Sequence, residues 1–169
     1  IVANQLADGS WGWGTNADPD TTGLMIAALA IIPCDHALRA EAQRLRLDLI
    51  VDSAGTGNWH AGEAPDPRAQ ATARRHGVDI SGLRARQVKP ADFRRFTHIV
   101  ALDHDNLANL RRLAPADATA ELSLLLDHVP GREGQAVTDP YFGDDAGFEV
   151  TWAEVTAAAR TLALNLRGR

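Results

Sequence analysis

The chemistry legible in this chain starts at Cys34, its one cysteine, and at Arg39 five positions on. A thiolate is a strong nucleophile, and an arginine beside it takes two phosphate oxygens at once. Cys34 follows an apolar run and precedes a helical pattern. That puts the thiol near a helix N-terminus, where anions bind and thiol pKa values fall. Between the two lie Asp35, His36, Ala37 and Leu38. A loop that converges its N–H groups on one phosphate usually needs glycine or asparagine at positive φ, and this string has neither. Asp35 also sets a carboxylate where a dianion must sit. The competing reading is a buried thiol beside a solvated helix arginine, since cysteine is a common core residue. The six histidines and the cysteine show no ligand spacing, so neither a metal nor a cofactor is expected.

The elements that must position such groups alternate in type. The helical pattern 36–47 carries Leu38, Ala42 and Leu45 on one face. "DLIV" at 48–51 reads as a strand ending in the turn "DSAGTG". Residues 66–77 read as a helix with Asp66 as N-cap, Pro67 at the first position and Gly77 just past the end. Then come a strand at 97–102, a helix at 105–114 capped by Asp105, and a strand candidate at 120–126. A long amphipathic helix closes the chain at 148–168, with Phe148, Trp152, Val155, Ala159 and Leu162 on one stripe. Strands alternating with helices predict an α/β fold with a parallel sheet covered on both faces. Ligands of such sheets bind beyond the carboxyl ends of the strands.

The bulk properties set bounds. With 169 residues, 45% of them hydrophobic, the chain is long enough for one domain with a real core. A net charge of -5 argues against nucleic acid or an acidic membrane as partner. The longest apolar run, "LMIAALAII" at 24–32, is too short to span a bilayer, and no signal peptide is apparent. A single cysteine gives no sign of an oxidising compartment, so a cytoplasmic location is expected.

From about residue 48 onward the chain resembles the low-molecular-weight protein tyrosine phosphatases. The strings "VDSAGTGNWHAGEAPDPRA" (51–69), "RRHGVDISGLRARQV" (74–88), "DFRRFTHIVALDHDNLANLRRLAP" (92–115) and "VTDPYFGDDAGFEVTWAEV" (137–155) follow in that family's order. The resemblance implies a three-layer fold: a four-stranded parallel sheet in the order 2-1-3-4 flanked by helices. It implies phosphomonoester hydrolysis through a cysteinyl-phosphate, on a phosphorylated small molecule or a phosphotyrosine protein. By position, Asp139 matches the general acid, which protonates the leaving phenol. Tyr141 and Phe142 match the pocket-wall aromatics, with Phe142 where a second tyrosine is usual. Trp59 matches the rim aromatic, and Ser53 the serine that bonds the phosphate loop. His60, His76 and Asp103 read as structural, His76 as a helix C-cap.

The family's loop signature, Cys-x5-Arg-Ser with glycine and asparagine inside, is missing. Position 40 is alanine, so Cys34 and Arg39 are one residue too close. Aligning "AEA" at 40–42 with the Ala-Glu-Ala that follows the family loop puts Ala30 at the nucleophile and His36 at the arginine. Residues 5–30 instead resemble one repeat of an α/α-toroid (class II) terpene cyclase, through "QLADGSWGWG" and "DPDTT". One repeat cannot bury its apolar face alone. The Asp18 and Asp20 pair therefore reads as a solvated loop. The chain reads as a composite: a cyclase-repeat-like arm at 1–23 and a phosphatase-like domain at 24–169. Part of "LMIAALAII" is expected to fill the strand-1 slot, with Pro33-Cys34 as the turn and a short helix at 37–46. The rival reading keeps 21–32 helical, since alanine, leucine and methionine favour helix.

Overall fold

The computed structural model describes residues 22–27, 34–140 and 145–167, with side chains from 36 on. Four parallel strands form one sheet: β1 (Thr22–Ala27), β2 (Leu49–Ala54), β3 (His98–Ala101) and β4 (Glu121–Leu124). β1 lies between β2 and β3, and β4 is the edge beyond β3. The register sets Ala27 against Ala54 and Ala101, and Ala101 against Leu124, so the four carboxyl ends form one line. Thr22–Ala27 is extended rather than helical, although Ala, Leu and Met favour helix. An inner slot between two strands satisfies both edges of a backbone that would otherwise leave buried N–H and C=O groups unpaired, at about 1–3 kcal/mol each. The strand starts two residues ahead of the boundary drawn at residue 24. The remainder of the arm and of the apolar run lies outside the described residues.

Side chains alternate across the sheet. Val51 and Val100 enter a core with Leu38 of α1 (Cys34–Leu45) and with Val155, Ala159 and Leu162 of α5 (Asp145–Arg167). Ala54, Ile99, Ala101 and Leu124 face the other way, onto Phe93, Phe96, Leu107 and Leu110. Phe93 belongs to α3 (Asp92–Arg95), a short helix that periodicity alone does not reveal. Leu107 and Leu110 belong to α4 (His104–Leu113). A third cluster joins Ala69 and Ala73 of α2 (Pro67–Arg75) to Ile80 and Phe148.

Several boundaries differ from expectation. α1 begins at Cys34 rather than 37. α4 is capped by Asp103, whose carboxylate accepts from the Asn106 N–H at 2.6 Å, rather than by Asp105. The cap must be extended with its side chain turned back on the first turn, and Asp103 has φ -142° and ψ 173°. β4 stops at Leu124 and gives way to a 3-10 turn over Leu125–His128, where Asp127 accepts from the Leu124 N–H. Trp152 is half-buried: it stacks on His76 at 4.5 Å instead of entering the core. α2 keeps its expected ends, with Asp66 as N-cap, His76 as C-cap and Gly77 at φ 77°.

Candidate active site

Two loops stand beyond the carboxyl line of the sheet. The first, 55–63, leaves β2 and is held by the segment 85–88. Gly55 N–H donates to the Arg86 carbonyl at 2.8 Å and Val88 N–H to the Gly55 carbonyl at 2.9 Å. Gly62 N–H donates to the Ala85 carbonyl, and Ala85 N–H to the Glu63 carbonyl. This frame presents Trp59 with 73% of its surface exposed. The indole lies on Gly57: a Cβ there would come within 2.4–2.7 Å of the ring. In this arrangement the ring occupies the space that a side chain at Gly57 would take, so any other residue there must displace it.

Under the loop is a cleft lined by Gly55, Thr56, Trp59, His60, Arg86 and Asn106 among others. Asn106 is buried and is oriented by Asp103, which accepts from both its N–H and its side-chain amide. Its side-chain carbonyl accepts from the Thr56 hydroxyl at 3.1 Å. The helix cap thus also fixes which way the amide faces. Arg86 bridges Asp52 of β2 and Asp92 of α3, at 2.9 Å each. Burial alone would weaken the Arg86 charge, but the two carboxylates outweigh it and raise its pKa.

The second loop carries Asp139. Val137 N–H donates to the Leu102 carbonyl at 2.8 Å, one residue past β3. The neighbouring Thr138 is held at both ends by α5: its N–H donates to Glu154 at 3.0 Å, and its carbonyl accepts from the Thr151 hydroxyl at 2.8 Å. Arg132 in turn donates to Glu154 at 2.8 Å. Burial pulls the Glu154 pKa up, yet the Thr138 N–H and Arg132 outweigh it and hold the carboxylate below the usual glutamate range. Pro140 is buried, and a Cβ added at Gly147 would meet its Cβ at 3.4 Å. Asp139 itself is exposed on this pinned segment. Tyr141 and Phe142 lie outside the described residues.

The remaining candidates are placed on the helix and strand beside these loops. Cys34 is the first residue of α1. Ser53 is the penultimate residue of β2, half-buried, paired with Ile26 of β1; its N–H donates to the Asp52 carboxylate at 2.8 Å. Arg39 is half-buried and its guanidinium donates to the Val51 carbonyl. Val51 lies three residues before the end of β2, roughly 10 Å back from the carboxyl line. Among the described residues, no three His, Cys, Asp or Glu side chains could hold a metal ion. No described helix is long and apolar enough to cross a membrane.

Against known proteins, the family model for low molecular weight phosphotyrosine protein phosphatase matches residues 34–169. The chain belongs to that family. Among its relatives, low molecular weight phosphotyrosine protein phosphatase 1 of Drosophila melanogaster is 39% identical over 66% of this chain and 72% of its own. The low molecular weight protein-tyrosine-phosphatase of Streptomyces coelicolor is 42% identical over 79% of this chain and 84% of its own. The crystal structure of YfkJ from Bacillus subtilis superposes with a TM-score of 0.78 at 28% identity, covering 92% of this chain and 98% of that one. The Entamoeba histolytica protein tyrosine phosphatase, with Hepes in its active site, gives 0.79 at 25% identity over 88% and 98%. Structural coverage thus reaches upstream of residue 34, where the family match begins.

Within this family fold, reading the residues one by one passes over Thr56, Arg86 and Asn106. Each is an ordinary loop or helix residue until partners from elsewhere reach it. Thr56 and Asn106 are 50 positions apart, and Arg86 and Asp52 are 34 apart. The available signal was the second arginine in "GLRARQV" and the asparagine three residues after Asp103.

Proposed function

We propose that this domain keeps the rim and the acid-loop side of a phosphomonoester site but hydrolyses aryl phosphates weakly or not at all. The observation that carries this reading is the β1–α1 junction. Its one cysteine has no arginine six positions on, no glycine lies between Cys34 and Arg39, and Asp35 adds a negative charge. Arg39 also has a partner in the sheet, the Val51 carbonyl, back from the edge where phosphate belongs. In the full reaction a thiolate forms the S–P bond while Asp139 protonates the departing phenolate oxygen. Water activated by the same aspartate then breaks the S–P bond and releases phosphate. The exposed position of Asp139 on the pinned 137–140 segment supports its reading as the acid, and the exposed Trp59, with Tyr141 and Phe142 by family position, is read as an aryl wall.

The test is p-nitrophenyl phosphate turnover at mildly acid pH by the wild type, Cys34→Ser and Asp139→Ala. We expect all three to stay near the blank, with far-UV circular dichroism showing folded protein. Turnover that Cys34→Ser abolishes and Asp139→Ala lowers by about 10²–10⁴-fold overturns the proposal and makes Cys34, with Arg39 or His36, a working nucleophile site. Melting shifts with inorganic phosphate or vanadate report whether an anion site persists without turnover. A non-catalytic domain accompanying a terpene cyclase is the second reading. Its support is the likeness of residues 5–30; the strand Thr22–Ala27 within them counts against it, since an α/α repeat would be helical there.

A further inference from the structure

A second cleft opens on the far side of the Trp59 loop. It is lined by Thr56, Trp59, Asn109, Arg112 and Leu113 and has a volume of about 290 Å³. Two of the few exposed large apolar side chains in the described structure meet here: Trp59, 73% exposed, and Leu113, 43% exposed. Isolated exposed apolar residues need no explanation, but these two line the same cleft. On the Trp59 side the ring lies directly over Gly57. The floor is polar: Asn109 donates to the Thr56 hydroxyl at 3.5 Å.

The charge of the cleft is one-sided. No carboxylate lines it. Arg112 donates to the Asn109 side-chain carbonyl and pairs with no carboxylate among the described residues. Arg111 stands beside it in the last turn of α4. Favourable interaction with the helix dipole accounts for arginines at that end, but not for the apolar pair next to them. In a chain of net charge -5, Arg112 brings positive charge to a cleft that also holds a tryptophan and a leucine.

We propose that this cleft is a peptide subsite, reading an apolar and an acidic residue next to the phosphorylated side chain of a protein substrate or ligand. The inference deepens the phosphomonoester reading and rests on it for where the phosphorylated side chain enters. Trp59 and Thr56 line both clefts, so one wall separates them. A peptide whose aryl phosphate lies against one side of that wall passes its neighbouring residues over the rim. The apolar residue packs between Trp59 and Leu113, and the carboxylate reaches Arg112.

The experiment is fluorescence polarisation with labelled peptides bearing a phosphonomethyl-phenylalanine, a non-hydrolysable phosphotyrosine analogue. One set is flanked by Leu and Glu on either side, the other by Ala and Lys. The wild type should bind the Leu/Glu set about three- to tenfold more tightly. Arg112→Glu should invert that order in favour of lysine, and Leu113→Ala should remove the preference for leucine. Vanadate melting shifts on the same samples report the anion site separately. Anion binding without peptide discrimination overturns the subsite and leaves the phosphomonoester reading standing. Arg112-dependent discrimination between the corresponding unphosphorylated peptides, without any anion binding, keeps the subsite and overturns that reading. Equal binding of both sets by wild type and Arg112→Glu overturns the proposal whatever the vanadate result.

Discussion

At the scale of single residues, the contact between Gly57 and Trp59 decides how the rim is presented. The indole lies in space that is open only because residue 57 has no side chain. Gly57→Val must displace the ring, since even a Cβ meets it at 2.4 Å. The ring is mostly exposed, so the stability cost should stay below about 1 kcal/mol. The indole N–H resonance of Trp59 should shift clearly in a two-dimensional NMR spectrum while that of Trp152 stays put. An unmoved Trp59 resonance contradicts the described packing. Asp139, Trp59 and Ser53 could be singled out from the strings around them. The Gly57 contact could not, because a glycine two residues before a tryptophan reads as an ordinary turn until the ring's direction is known.

At the scale of elements, the packing of α3 and β2 depends on Arg86. Its guanidinium joins Asp52 on one and Asp92 on the other, and Asp92 also accepts from the Lys89 N–H at 2.7 Å. Arg86→Ala leaves the buried Asp92 carboxylate without its cation. We expect a loss of about 2–3 kcal/mol, read as a lower urea midpoint. Arg86→Met with Asp92→Asn should recover part of it, because only the half-exposed Asp52 then lacks a cation and the buried charge is gone. No recovery would argue that the loss lies in shape rather than charge. The alternation of strands and helices was legible from periodicity and caps, as for Asp66, Pro67 and Gly77 around α2. The strand β1 was harder to read, because its alanine, leucine and methionine favour helix locally. Its conformation follows from the slot between β2 and β3, a non-local demand. Asp105 was mistaken for the cap of α4 because both it and Asp103 are good capping residues, and only backbone geometry separates them.

At the scale of the whole molecule, acid stability should depend on Glu154 and Asp66. Both titrate below their ordinary values: Glu154 because Thr138 and Arg132 outweigh the opposing effect of its burial, Asp66 chiefly through the Arg68 side chain. A depressed folded-state pKa gives a stability contribution that is complete above the unfolded value. It is lost as pH falls through the folded one. Melting temperature should therefore fall as pH drops from about 5 towards 3. Glu154→Gln should flatten part of that fall and cost about 1 kcal/mol at neutral pH. An unchanged acid limb in Glu154→Gln would remove Glu154 from the account.

The double hold on Thr138 has a further consequence. Its two partners, Thr151 and Glu154, stand in the first turns of α5, while Leu162 and Ala163 further along the same helix share a core with Leu38 of α1. One strut therefore carries the loop of Asp139 at one end and braces the helix that starts at Cys34 at the other. The two sides of the site are registered to each other through α5 as well as through the sheet. A shift of α5 by a fraction of a turn would move the Asp139 loop relative to the sheet and to α1, making that helix the place where a distant substitution can alter the spacing between Asp139 and the start of α1.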